Sequence, residues 1–141
     1  MDATELMRAA GWEPERTVDI TADIASLKSE GFDVSPAAET FLREFSHLSL
    51  KAPGHSHPLV VDGGLAASHA FAGWAESYSA AVGHLVTPVG EYSNLTFWVD
   101  DTGDIWATFD DAYGYAGQSL VEVVQGLFFD DPGWQLDRTL E

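Results

Sequence analysis

Apolar residues recur at intervals of three and four in several segments of the chain, a spacing typical of amphipathic helices. Residues that favour helix starts, or glycines that favour helix ends, mark most of these segments. The pattern predicts helices that begin near Asp2, Thr21, Ser35, His69 and Ser119. The last is the best marked, because a Ser-Leu-Val-Glu capping box begins it and apolar residues then continue along one face.

Strict alternation of apolar and polar residues predicts a β-hairpin in the second half of the chain. Residues 95–99 and 105–109 both alternate, and residues 100–104 between them are rich in the Asp and Gly that turns require. A symmetric turn places Trp98 and Trp106 on the same face of the hairpin. These two tryptophans could form an exposed aromatic platform, but large aromatic residues are more often core than surface, so we expect both to be covered.

The remaining extended segments are shorter. Strands are predicted at residues 18–20, 48–51 and 59–61, and a polar loop over residues 53–58 joins the last two. The fourth helix is predicted as one continuous element from His69 to Val82, because aromatic and apolar residues recur along it and a glycine follows.

Together these elements predict an α+β fold. We expect a small, mainly antiparallel central sheet with helices at the N- and C-termini packed around it. The length of 141 residues fits a single domain over residues 1–141, and an apolar content of 45% is sufficient for a core.

The charge distribution is strongly one-sided. The net charge is −17, and the stretch from Ala52 to Asp137 contains no Lys or Arg but twelve Asp or Glu residues. A folded domain with such a field repels nucleic acid and anionic membranes, and attracts basic proteins, metal cations and cationic small molecules. Solubility is the alternative explanation for the net charge. The length of the cation-free stretch favours a charged binding surface.

Composition also excludes several kinds of site. The chain has no cysteine, so it has no disulfide, no thiolate metal site and no cysteine nucleophile. Residues 1–10 lack the apolar run of a signal peptide, and no apolar stretch is long enough to span a membrane. We therefore expect a cytoplasmic protein.

Two clusters have the residue types of a metal site. His55 and His57 point the same way if their loop is extended, and Asp100, Asp101 and Asp104 offer the oxygen ligands that calcium prefers. Neither segment completes a recognised metal motif, and both compositions are typical of loops and turns. We predict no metal site and no cofactor.

A pair of carboxylates beside two tyrosines has three interpretations. Asp110 and Asp111 could act as acid and base, but no nucleophile, phosphate loop or metal triad accompanies them, so the sequence favours no enzyme. They could instead select and steer a basic partner while Tyr113 and Tyr115 supply contact area. The third interpretation is a solvated connection whose tyrosines pack on the core.

Several segments, in the same order along most of the chain, resemble the third subgroup of the SUKH superfamily. They are Gly11-Trp12 followed by Arg16 and Val18-Asp19, then Phe41-Leu42-Arg43-Glu44-Phe45 with Leu48, then Pro88-Val89-Gly90 before a strand, then Asp100 and Gly103 in the hairpin turn, and the helix from Ser119. The resemblance implies an α+β fold with a central sheet. Many SUKH proteins are bacterial immunity proteins, which bind a toxin domain in the cytoplasm, often a nuclease, without catalysis or a required cofactor.

The charge and the resemblance predict the same function. We expect an immunity protein that binds and neutralises a cognate, basic toxin domain through an acidic surface, with no nucleic-acid or membrane partner. A general protein-interaction or regulatory scaffold of the same fold and a small metal-dependent hydrolase are the alternatives. The oligomeric state stays open. The predicted partner-binding residues are Tyr92, Asp100, Asp101, Asp104, Asp110, Asp111, Tyr113 and Tyr115.

Overall fold

A computed structural model describes residues 1–141 as six helices and seven strands. The helices are α1 (Ala3–Ala9), α2 (Thr21–Ser29), α3 (Pro36–Phe45), α4 (Gly63–His69), α5 (Ala72–Val82) and α6 (Leu120–Phe128). The strands are β1 (Leu48–Leu50), β2 (Leu59–Val61), β3 (Val86–Tyr92), β4 (Leu95–Asp100), β5 (Ile105–Phe109), β6 (Ala112–Gly117) and β7 (Arg138–Thr139).

The strands form one open antiparallel sheet in which each strand pairs with its neighbour in sequence, from β1 at one edge to β7 at the other. Antiparallel neighbours need only short connections, which explains why most strands follow one another directly. The helices lie before, between and after the strands. This arrangement confirms the predicted α+β fold with a central antiparallel sheet.

Helix starts follow the capping residues in the sequence. The side chains of Asp2, Ser35 and Ser119 each accept a hydrogen bond from a backbone N–H in the first turn of α1, α3 and α6. Helix α2 begins at Thr21, as predicted. The carboxylate of Asp19 accepts hydrogen bonds from both the N–H and the hydroxyl of Thr21 at this helix start.

Two predictions about secondary structure were wrong. Residues 18–20 form no strand, and the Val18 N–H instead donates to the carbonyl of Arg43. The helix predicted from His69 begins at Ala72 as α5, because the backbone is extended at Ala70 and Phe71, and His69 ends a separate helix, α4, that the pattern did not predict. The sheet also includes β3, β6 and β7, which the pattern did not predict.

The hairpin has the predicted register and separates two layers of core. Trp98 pairs with Trp106 on one face, and Phe97 pairs with Ala107 on the other. On the Phe97 face the ring of Trp134 packs edge-on at 5.7 Å. On the Trp98 face the ring of Tyr78, in α5, lies 5.5 Å away. Side chains from both faces of the sheet are therefore buried, with α5 covering the Trp98 face.

The C-terminal segment completes the sheet by crossing it closely. A methyl group on Gly114 would lie 1.9 Å from the carbonyl oxygen of Gln135, so only glycine fits at that point in β6. The chain then turns back to the open edge, where Arg138 pairs with Tyr113. This crossing fixes β7 and places Arg138 next to the aromatic residues of β5 and β6.

Candidate protein-binding surface

The predicted partner-binding residues lie in three separate places on the sheet. The first place is the β4–β5 turn, which carries Asp100, Asp101 and Asp104, with Tyr115 beside them on β6. The second is the β5–β6 turn, which carries Asp110, Asp111 and Tyr113. The third is the β3–β4 turn, where Tyr92 lies. The two ends of β5 therefore carry two acidic groups. Tyr92 belongs to neither, since its ring packs against Phe128 on the Phe97 face.

Asp100 organises the β4–β5 turn from inside. Only 1% of its surface is exposed, and its carboxylate accepts hydrogen bonds from the N–H and hydroxyl of Thr102, the N–H of Asp104 and the indole N–H of Trp106. Burial alone would raise the pKa of Asp100. The hydrogen bonds from Thr102, Trp106 and Asp104 outweigh burial and hold that pKa below its ordinary value.

Burial removes two residues from the predicted contact surface. The Asp100 carboxylate is enclosed by its own turn, and Tyr113 is only 8% exposed because its ring packs 6.0 Å from Tyr78 in α5. Neither side chain can reach a partner in this structure, so we withdraw both as contact residues. For Tyr113 this is the third interpretation given above, a tyrosine packed on the core.

The exposed group at the β4–β5 end combines acids with aromatic rings. Asp101 is exposed, Asp104 is half-buried, and Tyr115 is 38% exposed. Trp106 lies next to them with its ring 5.4 Å from that of Tyr115, and it is only half-buried. The Trp106 surface, defined here as Asp101, Asp104, Trp106 and Tyr115, therefore presents rings and carboxylates together.

Trp106 is more exposed than we expected, since a tryptophan in an alternating strand is more often core. On the neighbouring strand, β4, Trp98 is 2% exposed, as expected. Trp106 lies nearer the sheet edge, where the guanidinium of Arg138 is 5.4 Å from the ring centroid. The position of Arg138 depends on β7, which the local sequence did not reveal.

Neighbouring negative charges act on two residues of the Trp106 surface, Asp104 and Tyr115. Burial, followed by the negative charge of Asp100, raises the pKa of Asp104. Burial and then the charges of Asp104, Glu122 and Asp100 raise the pKa of the Tyr115 hydroxyl. A cation that approaches this surface relieves the repulsion, because opposite charge favours the ionised form of each acid.

The second acidic group surrounds the β5–β6 turn. Asp110 and Asp111 are both exposed, and Asp110 has a φ of 51°, in the left-handed region that Asp tolerates in tight turns. The hydroxyl of Tyr78 donates to the backbone carbonyl of Asp110, which fixes the turn against α5. Burial raises the pKa of Tyr78, and the charges of Asp110 and Asp111 raise it further.

Comparison with known families decides the relationship suggested by the sequence. The model of the SUKH-3 immunity protein family matches residues 1–129. The chain belongs to the SUKH-3 immunity protein family. This confirms the resemblance and gives the protein an immunity role, whose partner is a cognate toxin. No curated protein and no solved structure matches the chain.

The histidines of this SUKH-3 protein do not converge on one site. His55 and His57, in the loop whose residue types suit a metal but for which we predicted no metal site, pack edge-on against Phe128 and Tyr92 respectively. His69 is 2.8 Å from the carboxylate of Glu91. Each imidazole therefore has a separate contact within the fold.

One mixed cluster does bring metal-ligand atoms together. Potential ligand atoms of Asp23, His47 and Asp62 all lie within 4.8 Å of one another. Asp23 is buried, however, and its carboxylate already accepts from the Ser46 hydroxyl, from the N–H of Gly63 and from His47 at 3.1 Å. These bonds connect α2 to the starts of β1 and α4, which is a structural role. None of the helices of the immunity protein is long and apolar enough to cross a membrane.

Proposed function

We propose that this immunity protein neutralises a nucleic-acid-acting toxin by covering its basic surface with the acidic ends of β5. Membership of the family supports the immunity role, and the negative charge of the chain supports a partner with a basic surface. Enzymes that act on nucleic acid bind a polyanion and so present Lys and Arg in their active-site grooves. A protein with a net charge of −17 is attracted to such a groove at long range, before the two surfaces touch. The binding is non-covalent, involves no catalysis by the immunity protein and takes place in the cytoplasm.

The Trp106 surface is the observation that carries this proposal. It combines half-exposed rings at Trp106 and Tyr115 with the carboxylates of Asp101 and Asp104. Aromatic residues at the centre of an interface supply most of the binding energy, whereas surrounding charge supplies selectivity. Two basic residues contact this surface: Arg138 lies over the Trp106 ring, and His84 is 2.8 Å from the carboxylate of Asp101.

The β5–β6 turn contributes the second acidic contact. Asp110 and Asp111 are exposed, and neither belongs to an ion pair of the chain. Unpaired exposed carboxylates act mainly on the rate of association, because their field extends about a Debye length into solvent. Fast capture is useful when a toxin must be inhibited before it acts on its own cell.

Charge reversal at the β5–β6 turn tests the proposal. The double variant Asp110→Lys/Asp111→Lys should slow association with the toxin domain encoded beside the immunity gene by roughly tenfold at low salt. The difference should shrink as the salt concentration rises, because ions screen exposed charges. Stopped-flow mixing or surface plasmon resonance measures the association rate directly.

The control makes the same charge change elsewhere. Glu13 and Glu15 are exposed in the connection between α1 and α2, so the double variant Glu13→Lys/Glu15→Lys alters net charge equally. We expect it to slow association much less. Equal effects of the two double variants, or none from either, would remove the β5–β6 turn from the toxin-facing surface and refute electrostatic capture at that end of β5.

A further inference from the structure

An open cleft lies between the α4–α5 junction and the ends of β4 and β5. Its volume is about 220 Å³, and the side chains that define it are Phe71, Trp74, Trp98, Thr108, Phe109 and Asp110. Pockets for drug-sized ligands and cofactors measure about 300–1,000 Å³. The size of this cleft therefore suits one side chain of a partner protein better than a small-molecule ligand.

Two phenylalanines at the cleft are unusually exposed. Phe71, between α4 and α5, is 71% exposed, and Phe109, at the end of β5, is 44% exposed. Single exposed apolar residues need no explanation on a protein surface. Here one ring comes from the helical side and one from the sheet, and both line the same cleft. Together with Trp74 they offer aromatic faces on more than one side of the space.

The charge around the cleft selects the kind of side chain that fits it. The residues that line the cleft all fall within the stretch of the chain that contains no Lys or Arg. The titratable residues of the lining are Asp110, His69 and Tyr78, and Asp110 is the only acidic one. His69 is 2.8 Å from Glu91, and Asp110 takes part in no ion pair. Aromatic faces attract cations through the negative electrostatic potential of the ring, and the effect increases as the site loses water.

We propose that this cleft binds an arginine side chain of the cognate toxin, an inference that rests on the proposed function. The planar guanidinium of arginine can stack on aromatic faces and form two parallel hydrogen bonds to a carboxylate. The ammonium of lysine is a compact point charge that has no planar group for stacking. The rings of Phe71, Trp74 and Phe109 supply the faces, and Asp110 supplies the carboxylate. The cleft is an anchor site that shares one residue, Asp110, with the exposed charges that steer the approach.

A peptide titration tests the cleft without the toxin. The probe is the peptide acetyl-Gly-Arg-Gly-amide, and the observables are the amide NMR signals of Phe109 and Asp110 and the indole signal of Trp74. We expect saturable shifts, with binding about fivefold or more weaker for the same peptide carrying citrulline, which keeps the shape of arginine without its charge. The exposed position of Phe71 makes Phe71→Ala a variant that keeps the fold, and it should weaken binding by a similar factor.

Two results overturn this inference. One is the absence of any saturable shift with the arginine peptide. The other is equal binding of peptides with arginine, citrulline or leucine, which would mean that the cleft holds an apolar group or nothing specific.

Kinetics with the toxin then separate the anchor from the proposed function. Phe71→Ala should increase the dissociation rate about fivefold or more and leave the association rate and its salt dependence unchanged, because a neutral residue does not steer. Arginine-peptide binding together with no effect of Asp110→Lys/Asp111→Lys on toxin association would refute the steering proposal and leave the cleft standing. Loss of steering without any effect of Phe71→Ala would refute the anchor alone.

Discussion

Replacing Asp100 by alanine should destabilise the protein much more than replacing its neighbour Asp101. The change removes the acceptor of four hydrogen bonds at the β4–β5 turn. The two donors of Thr102 are on an exposed residue and can bond to water instead, so their loss costs little. The N–H groups of Asp104 and Trp106 are on half-buried residues, and each unsatisfied donor costs about 1–3 kcal/mol.

The expected loss in the free energy of unfolding is therefore about 2–6 kcal/mol, which corresponds to a decrease in Tm of about 6–18 °C for a chain of this size. Urea unfolding at pH 7, followed by tryptophan fluorescence, measures it. Asp101→Ala is the control, because its contact with His84 is a surface pair at 2.8 Å. That variant should lose less than about 0.5 kcal/mol.

The pH dependence provides an independent check. Because the pKa of Asp100 is lowered in the folded protein, its charge stabilises the fold above the unfolded pKa of about 4 and stops doing so as the pH falls through the folded value. The stability difference between the wild type and Asp100→Ala should narrow on the acid side of about pH 4. A difference that stays constant to pH 2, or a loss below about 1 kcal/mol at pH 7, would refute this account of the turn.

Two further predictions concern other positions. Gly114→Ala should lower the free energy of unfolding by about 2 kcal/mol or more in the same urea assay, because the new methyl group would lie 1.9 Å from the carbonyl oxygen of Gln135. The control is Gly73→Ala on α5, where nothing lies near the new methyl group. This variant should raise the free energy of unfolding by about 0.5–1 kcal/mol. Asp104→Asn should raise Tm at pH 7 and lose that effect near pH 3, because the raised pKa of Asp104 means that folding disfavours its charged form. A lower Tm for Asp104→Asn at pH 7 would contradict the repulsion inferred at the Trp106 surface.

Local signals in the sequence predicted the elements that depend on local chemistry. The caps at Asp2, Ser35 and Ser119 and the register of the hairpin all follow from residues close in the chain. Gly83 ends α5 with a φ of 79°, also as predicted. Such features depend on hydrogen bonds and backbone conformation within a few residues, so distant packing does not change them.

Two of the elements that sequence reasoning missed, β6 and α4, contain glycines required by distant contacts. Gly114 makes β6 resemble a loop, yet it is needed where the chain crosses at Gln135. Gly63 gives α4 a poor helical start, yet a methyl group there would lie 2.9 Å from the Cβ of Asp23. A glycine that breaks a local pattern is therefore compatible with a strand or helix whose reason lies in tertiary packing.

The candidate site was predictable in its charge but not in its arrangement. The Asp and Gly residues at positions 100–104 predicted a turn, but they did not predict that this turn would enclose the Asp100 carboxylate. The exposure of Phe71 and Trp106 depends on which elements cover them. That cover is set by the α4–α5 junction and by β7, which the sequence pattern did not locate.

Asp100 and Asp110 contribute to the acidic surface in different ways. Asp100 never reaches solvent, but its lowered pKa keeps it ionised, and its charge raises the pKa of Asp104 and Tyr115. It therefore adds to the negative potential of the Trp106 surface while it holds the β4–β5 turn, so any change there alters stability and association together. Asp110 uses its backbone carbonyl for the contact with Tyr78, which leaves its carboxylate free. Charge reversal at Asp110 consequently changes steering without removing a side-chain hydrogen bond of the fold, at the cost of a Lys in a left-handed conformation that Asp adopts more readily. The β5–β6 turn is therefore a better place than Asp100 to measure electrostatic capture of the toxin.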